Sequence, residues 1–290
     1  MDGGETLATE WTIREVLNWT RGYFEAAGII QPRLEAEILL AHSLDVDRLH
    51  LYLTPDKPLT AEERARYRTV VQKRHSGTPL QHLTGEVSFY GLRFRVRSDA
   101  LIPRPETEEL LDQALKLAPR DTDSTCLDLG TGSGVIAVCL ARYLPRSTVT
   151  AVDVSPETLT LAQENARLNE VDARIRFVAG DWFDGLNDAY DLIVSNPPYI
   201  DEASLDDLPR EVRDHEPRAA LDGGRDGVEQ IARVVRGAPA HLTSGGHLLL
   251  EIGHDQAAVV TGFMETAGFT DVRVEADLAG KDRLAVARWP

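Results

Sequence analysis

Beyond residue 124 short apolar runs alternate with longer segments of helical period. No other feature limits its fold so severely. Apolar runs at 125–129, 148–154, 174–179 and 190–195 read as strands, and 133–144, 156–168, 226–242 and 255–267 read as helices. Strands apolar on both faces must be covered on both sides. The pattern therefore predicts an α/β, doubly wound, mainly parallel sheet with its ligand at the strand C-termini. Three more strands, 246–252, 271–277 and 283–289, bring the sheet to seven. The last two leave no room for a helix between them and should pair antiparallel at the sheet's end.

The first 75 residues carry no such alternation and read as four short helices. Thr12 with Glu15 and Thr60 with Glu63 each fit a capping box, Pro32 suits the first turn of a helix, and Gly28 suits a helix C-terminus. Helices alone make a small bundle, not the enzyme core. Residues 86–97, EVSFYGLRFRVR, alternate about a Tyr-Gly turn as a hairpin does. After the Ile-Pro-Arg-Pro punctuation at 102–105, a helix from Glu106 to Leu117 leads into the sheet. The expected division is a helical domain at 1–77, a linker with a β-hairpin at 78–103, and the sheet domain at 104–290.

Charge narrows the partners. The 290 residues hold 31 basic and 47 acidic side chains, a formal net charge of −16. Residues 1–75 hold 12 acids and 10 bases, so the remaining 35 acids and 21 bases put −14 in the larger part. A domain of that balance lacks the basic stripe with which proteins neutralise nucleic-acid phosphates. No run approaches the ~20 apolar residues of a membrane span, and MDGGETLATEWT lacks the basic and apolar regions of a signal peptide. Cys126 and Cys139 are the only cysteines, with no Cys/His spacing that suits zinc, so no metal site is expected.

Four motifs fall at strand tips. Asp128-Leu-Gly130-Thr131-Gly132-Ser133-Gly134 follows the first strand and opens a helix. Its glycines allow a tight turn and close approach of backbone to a ligand, but the spacing is G-x-G-x-G and not the dinucleotide G-x-G-x-x-G. With Asp128 just ahead, the mouth suits an ammonium group; an ordinary nucleotide-binding turn is the alternative. Asp153 ends the second strand, where a carboxylate accepts both ribose hydroxyls; alone it would serve equally as a helix N-terminal charge. Asp181-Trp182 ends the third strand, an acid for an exocyclic amine and an indole for a flat ring, with core packing an even alternative for Trp182. Asn196-Pro197-Pro198-Tyr199 ends the fourth. Paired prolines make a rigid loop without donors. The Asn196 side-chain oxygen and the Pro197 carbonyl can together accept both hydrogens of a planar NH₂, against which Tyr199 can pack.

The glycine loop, Asp153 and Asn-Pro-Pro-Tyr together resemble the class I S-adenosylmethionine-dependent methyltransferases that modify planar nitrogens. The stretches PLQHLTGEVSFYGLRFRV (79–96), LIPRPETEELL (101–111), GDWFDGL (180–186), SNPPYID (195–201) and EPRAALDGGRDG (216–227) resemble, more closely, the HemK/PrmC family. These are the glutamine N5-methyltransferases of class-1 peptide chain release factors. The match runs the whole chain in order, with the N-terminal stretch the most diverged. The resemblance implies a Rossmann-like methyltransferase domain, S-adenosylmethionine as cofactor with S-adenosylhomocysteine as product, and the glutamine of a Gly-Gly-Gln loop as acceptor. It implies cofactor contacts at Asp128, Gly130 to Gly134, Asp153, Asp181, Trp182 and Asn196, and catalytic or acceptor contacts at Asn196 to Tyr199. Arg104, Glu106 and Thr107 are expected in the same cleft, Thr107 alternatively as a helix cap. A cytoplasmic monomer acting on a protein, with no direct nucleic-acid or membrane partner, is expected. The rival readings are glutamine methylation of a ribosomal protein and N6-adenine methylation of nucleic acid.

Overall fold

The computed structural model describes residues 11–118 and 122–290. The reading of residues 1–12 as free of a secretion signal therefore lies, up to residue 10, outside the described residues. Contacts divide the chain into two units, one ending at Gly85 and one beginning at Glu86.

The first unit holds α1 (Ile13–Ala26), α2 (Pro32–Leu44), α3 (Arg48–Leu53), α4 (Ala61–His75) and α5 (Leu80–Thr84). Both capping boxes form, with reciprocal side-chain and backbone bonds at Thr12/Glu15 and Thr60/Glu63. Ile13, Phe24, Leu39, Leu40 and Tyr67 make its core. The helix α5 was not expected: five residues are too short to display a 3.6 period. It ends on Gly85, whose φ of 75° is a left-handed helix stop.

The second unit opens with the hairpin β1 (Glu86–Phe89) and β2 (Leu92–Arg95). Tyr90 and Gly91 both have positive φ, 48° and 75°, which gives the turn the twist that tight hairpins need. Asn165, buried on a helix of the sheet domain, bonds Arg95 through both backbone groups, at 2.7 and 3.0 Å. Its Nδ2 also donates to the Ser133 carbonyl at 2.8 Å. The hairpin is thereby tied to the glycine loop.

The sheet comprises β3 (Ser124–Leu129), β4 (Ser147–Asp153), β5 (Ile175–Ala179), β6 (Tyr190–Ser195), β7 (Leu242–Glu251), β8 (Thr270–Ala276) and β9 (Asp282–Arg288), in the order β5-β4-β3-β6-β7-β9-β8. The five strands from β5 to β7 are parallel, and β9 runs antiparallel to both neighbours. Helices α6 (Thr107–Leu117), α7 (Val135–Tyr143), α8 (Pro156–Leu168), α10 (Glu229–Gly237) and α11 (Ala257–Thr266) cover the sheet, with a one-turn α9 (Arg210–Arg213) in the loop after β6. Cys126, Val149 and Leu192 face one core, and Leu127, Val152 and Ile193 the other, so each strand is apolar on both sides.

Boundaries depart from the pattern where glycine or proline misleads. The strand β7 starts at Leu242, not 246, because Gly245-Gly246 lies inside it, at a bulge in its pairing with β6. The helix α10 stops at Gly237 and continues only as a 3₁₀ turn through Pro239.

The order of strands decides where a ligand can enter. The chain steps outward from β3 to β4 and β5, then returns to the other side of β3 with β6. A crevice opens at such a reversal, at the carboxyl ends of the strands. Leu129 pairs with Ser195, so the glycine loop and the Asn-Pro-Pro-Tyr loop leave the sheet side by side.

Candidate active site

The glycine loop closes the first helix of the sheet against β4. Gly130, Gly132 and Gly134 have φ of 69°, 55° and 83°, in the left-handed region that disfavours other residues. Gly134 also packs the loop onto α8: a Cβ there would stand 3.0 Å from that of Ala162. The helix α7 accordingly begins at Val135 rather than 133. Asp128 sits behind this loop, fully buried. Its Oδ2 accepts from Thr131 Oγ1 at 2.6 Å and from the Ala137 amide at 3.0 Å, while Oδ1 is buried without a partner. Burial pushes its carboxyl up to about 7, against the pull of those two bonds.

Asp153 at the tip of β4 braces the same loop. Its Oδ2 accepts from the Gly132 amide at 2.9 Å and its Oδ1 from the Ser155 amide at 3.0 Å. Burial raises this carboxyl too, opposed by the backbone bonds. Beyond β5, Trp182 takes a φ of 56° and lays its indole near Gly130, where a Cβ would come within 3.5 Å of the ring. Trp182 Nε1 donates to Gln230 Oε1 at 3.1 Å. Asp181 is exposed and paired with Arg233 at 2.6 Å.

The Asn-Pro-Pro-Tyr loop is held from beneath by residues distant in sequence. Asn196 Nδ2 donates to Thr107 Oγ1 at 3.1 Å, and Thr107 Oγ1 donates to Glu251 Oε2 at 2.7 Å. Tyr199 donates its hydroxyl hydrogen to Glu251 Oε1 at 3.3 Å. Burial raises the Glu251 carboxyl, while the Thr107 bond and the Arg283 charge lower it. Burial also pushes the Tyr199 phenol up to about 12. From the side, Gln256 Nε2 donates to the carbonyls of Tyr199 and Gly227, at 2.9 and 3.1 Å. The backbone of Ile200 pairs with Leu221 and Gly223. Gly223 and Gly227 have no room for a side chain: a Cβ at Gly223 would lie 2.8 Å from the Tyr199 Cα, and one at Gly227 2.6 Å from the Tyr199 oxygen. The run EPRAALDGGRDG thus serves as the bed of the Asn-Pro-Pro-Tyr loop.

One cavity of about 560 Å³ gathers these tips, a volume within the usual range for small-molecule sites. Gly130, Thr131, Gly132, Ser133, Asp153, Asp181, Trp182, Asn196, Pro198, Arg104 and Thr107 line it. Asp128, Gly134, Glu106, Pro197 and Tyr199 stand behind the wall or beside it. Thr107 opens α6, but the cap position belongs to Glu106, and the Thr107 hydroxyl is directed at Glu251 instead. Arg104 donates to Glu216 Oε1 at 2.7 Å; Glu216 is buried, with its other oxygen unpartnered.

Sequence reasoning did not single out Gln230, Arg233, Glu216 or Glu251. Gln230 and Arg233 sit on one face of an ordinary amphipathic helix. Glu251 offered one signal, a charge ending the very apolar run 248–250. Among the described residues no group of His, Cys, Asp and Glu could hold a metal ion, and no helix is long and apolar enough to cross a membrane.

Residues 15–85 match the PrmC N-terminal domain, and residues 107–211 match the methyltransferase small domain. The release factor glutamine methyltransferase of Geobacter sulfurreducens is 46% identical over 279 residues, 96% of this chain and 97% of that protein. The one from Koribacter versatilis is 42% identical over 281 residues, 96% and 99% of the two. A methyltransferase structure from Pyrococcus furiosus aligns with a TM-score of 0.53 at 21% identity, covering 69% of this chain and 90% of that one, a likeness of fold. With relatives this similar from end to end, the chain belongs to the release factor glutamine methyltransferase family.

Proposed function

We propose that this chain transfers a methyl group from S-adenosylmethionine to the side-chain amide nitrogen of the glutamine in the Gly-Gly-Gln loop of class-1 peptide chain release factors, modulating translation termination. One observation carries the reading: Asn196, which suits a planar amide, shares a single cavity with Gly130–Ser133, Asp153 and Trp182, which suit a nucleoside. Full-length likeness to release factor glutamine methyltransferases supports the identity of the acceptor.

The residues present fit the cofactor. A carboxylate offers about four lone-pair sites, so Asp153 keeps acceptor capacity for ribose hydroxyls after its two backbone bonds. The Trp182 indole, pinned through Gln230, suits the adenine face. The Oδ1 of Asp128, buried without a partner beside the glycine loop, is an acceptor left over for the cofactor's ammonium group. S-adenosylmethionine, when bound, supplies a methyl group activated on a cationic sulfur and leaves as S-adenosylhomocysteine.

What this chain's own residues must do is align and polarise the acceptor. An amide nitrogen is a weak nucleophile because its lone pair is delocalised into the carbonyl. On this reading the Asn196 side-chain oxygen and the Pro197 carbonyl accept its two N–H bonds, which orients the nitrogen and stabilises the positive charge developing there. Pro198 and Tyr199 keep the loop rigid and exclude water. The proton made acidic by methylation leaves to solvent. The helical unit, on the same reading, meets the body of the release factor in the cytoplasm, with no direct contact to nucleic acid.

Incubation with radiolabelled S-adenosylmethionine and separate candidate acceptors tests this. Label at one glutamine of the release factor is expected, with the intact factor a far better substrate than a peptide of its loop. Label confined to a ribosomal protein or to adenine in nucleic acid would overturn the reading, and a loop peptide as good as the factor would remove the role given to the helical unit.

A further inference from the structure

We propose that Glu251 is a positioning residue: through Thr107 it dictates which way round the Asn196 amide sits, so that the oxygen and not the NH₂ faces the acceptor. The inference rests on the reading of Asn196 as the group that accepts from the substrate amide. It follows from counting hydrogens. The oxygen and nitrogen of a side-chain amide are nearly the same size, so packing alone leaves the two orientations of Asn196 close in energy. In its ionised form, which the Thr107 and Tyr199 hydroxyls and the Arg283 charge favour against burial, Glu251 only accepts, and a hydroxyl has one hydrogen. With Thr107 Oγ1 at 2.7 Å from Glu251 Oε2, that hydrogen is committed to Glu251. What Thr107 can then offer Asn196, 3.1 Å away, is a lone pair. Only the NH₂ can answer it, and Oδ1 is turned away from Thr107.

The opposite orientation would set the Asn196 oxygen against a hydroxyl oxygen with no hydrogen to share, and would aim an NH₂ at the NH₂ of the acceptor. Donor would meet donor at the reacting nitrogen. The position of Glu251 suits the task. It ends β7 beside β6, whose next residue is Asn196, and it is buried away from water that could supply a competing donor. Its second oxygen takes the Tyr199 hydroxyl, so the two ends of the Asn-Pro-Pro-Tyr loop report to one carboxylate. A chain of polar groups in a low-dielectric interior holds its direction more firmly than any single bond in it.

The test is steady-state kinetics with the intact release factor, alongside calorimetry with S-adenosylhomocysteine and thermal melting. Thr107→Val keeps the shape and removes the hydroxyl. It is expected to lower kcat at least about tenfold, less than the ~10²–10³ lost when a direct transition-state hydrogen bond is removed. KM and cofactor affinity should stay within about twofold. Thr107→Ser should recover most of the lost rate. Glu251→Leu frees the Thr107 hydrogen and also releases the Tyr199 hydroxyl, so it should be at least as slow as Thr107→Val, and the double variant should be no slower than Glu251→Leu, because both cut one chain at Thr107.

A Thr107→Val enzyme that turns over normally, a Thr107→Ser enzyme as slow as Thr107→Val, or losses that multiply in the double variant would each overturn the proposal. Asn196→Ala separates the two readings. If it loses turnover while Thr107→Val does not, the amide clamp stands and the relay falls; if it keeps turnover, the clamp falls first. Should Glu251→Leu fail to fold, the Thr107 pair decides the matter alone.

Discussion

Gly223→Ala is the sharpest perturbation of the site that leaves every lining side chain in place. The added Cβ would stand 2.5 Å from the Gly227 carbonyl oxygen and 2.8 Å from the Tyr199 Cα, both backbone atoms. Carbon contacts are comfortable at about 3.5–4.0 Å, so the two loops must part by on the order of 1 Å. Overpacking of this kind costs about 1–3 kcal/mol. For a domain of this size that corresponds to a fall in Tm of roughly 2–12 °C. The chemical penalty is larger, because Tyr199 closes the loop that Asn196 opens. Displacement of a reacting group by 1 Å costs on the order of 10²-fold in rate. S-adenosylhomocysteine affinity should change little, since Gly223 does not line the cavity and the glycine loop and Asp153 rest on β3 and β4. Gly262→Ala is the matched control: it lies on α11 with nothing within 4 Å of the new Cβ. A gain of about 0.5–1 kcal/mol and an unchanged rate are expected there. Melting curves, calorimetry and methyl-transfer rates on the three proteins check the set. A Gly223→Ala enzyme with wild-type kcat and Tm would refute the claim that this glycine run is the bed of the Asn-Pro-Pro-Tyr loop.

Two further outcomes concern the acids of the cofactor end. Asp153→Ala strands the Gly132 and Ser155 amides and removes the acceptor for the ribose. Bonds to a charged group are worth about 1.5–3 kcal/mol, so S-adenosylhomocysteine should bind roughly 10–100-fold more weakly by calorimetry; affinity within twofold of wild type would contradict the assignment. Asp128 is raised to about 7 in the folded chain from an ordinary carboxylate value. The folded state therefore holds a proton that the unfolded state gives up, and stability is lost as pH climbs from about 4 through 7. Asp128→Asn lacks that ionisation, so the Tm of wild type minus that of the variant should fall over this window and level off above it. A difference constant from pH 4 to 8 would show that the buried carboxyl does not titrate there.

How far the sequence could be read depended on the kind of interaction. Strand–helix alternation, the capping boxes at Thr12 and Thr60, and the Tyr90-Gly91 turn are local, so their residues announced them. The Ala238–His241 turn and the early start of β7 were hidden because Gly245 and Pro239 carry the same local signal in a loop and inside an element. The one-turn α5 was too short for any period. The glycine loop, Asp153 and Asn196 could be assigned to one mouth because each follows an apolar run, and parallel strands bring their carboxyl ends to the same edge.

By itself, then, the sequence determined the sheet, its order of covering helices and the set of tips that had to meet, because burial on two faces leaves few other ways to fold these runs. Only the tertiary structure decided which of those tips face the cavity and which stand behind it. Asp128 and Tyr199 look as functional in the sequence as Asp153 and Asn196, yet only the latter two line the cavity, while Asp128 is fully buried behind the glycine loop. It also decided that Thr107 and Glu251, 144 residues apart, share a hydrogen bond beneath Asn196. Side-chain hydrogen bonds depend on position to within a fraction of an ångström, and no periodicity along the chain encodes that.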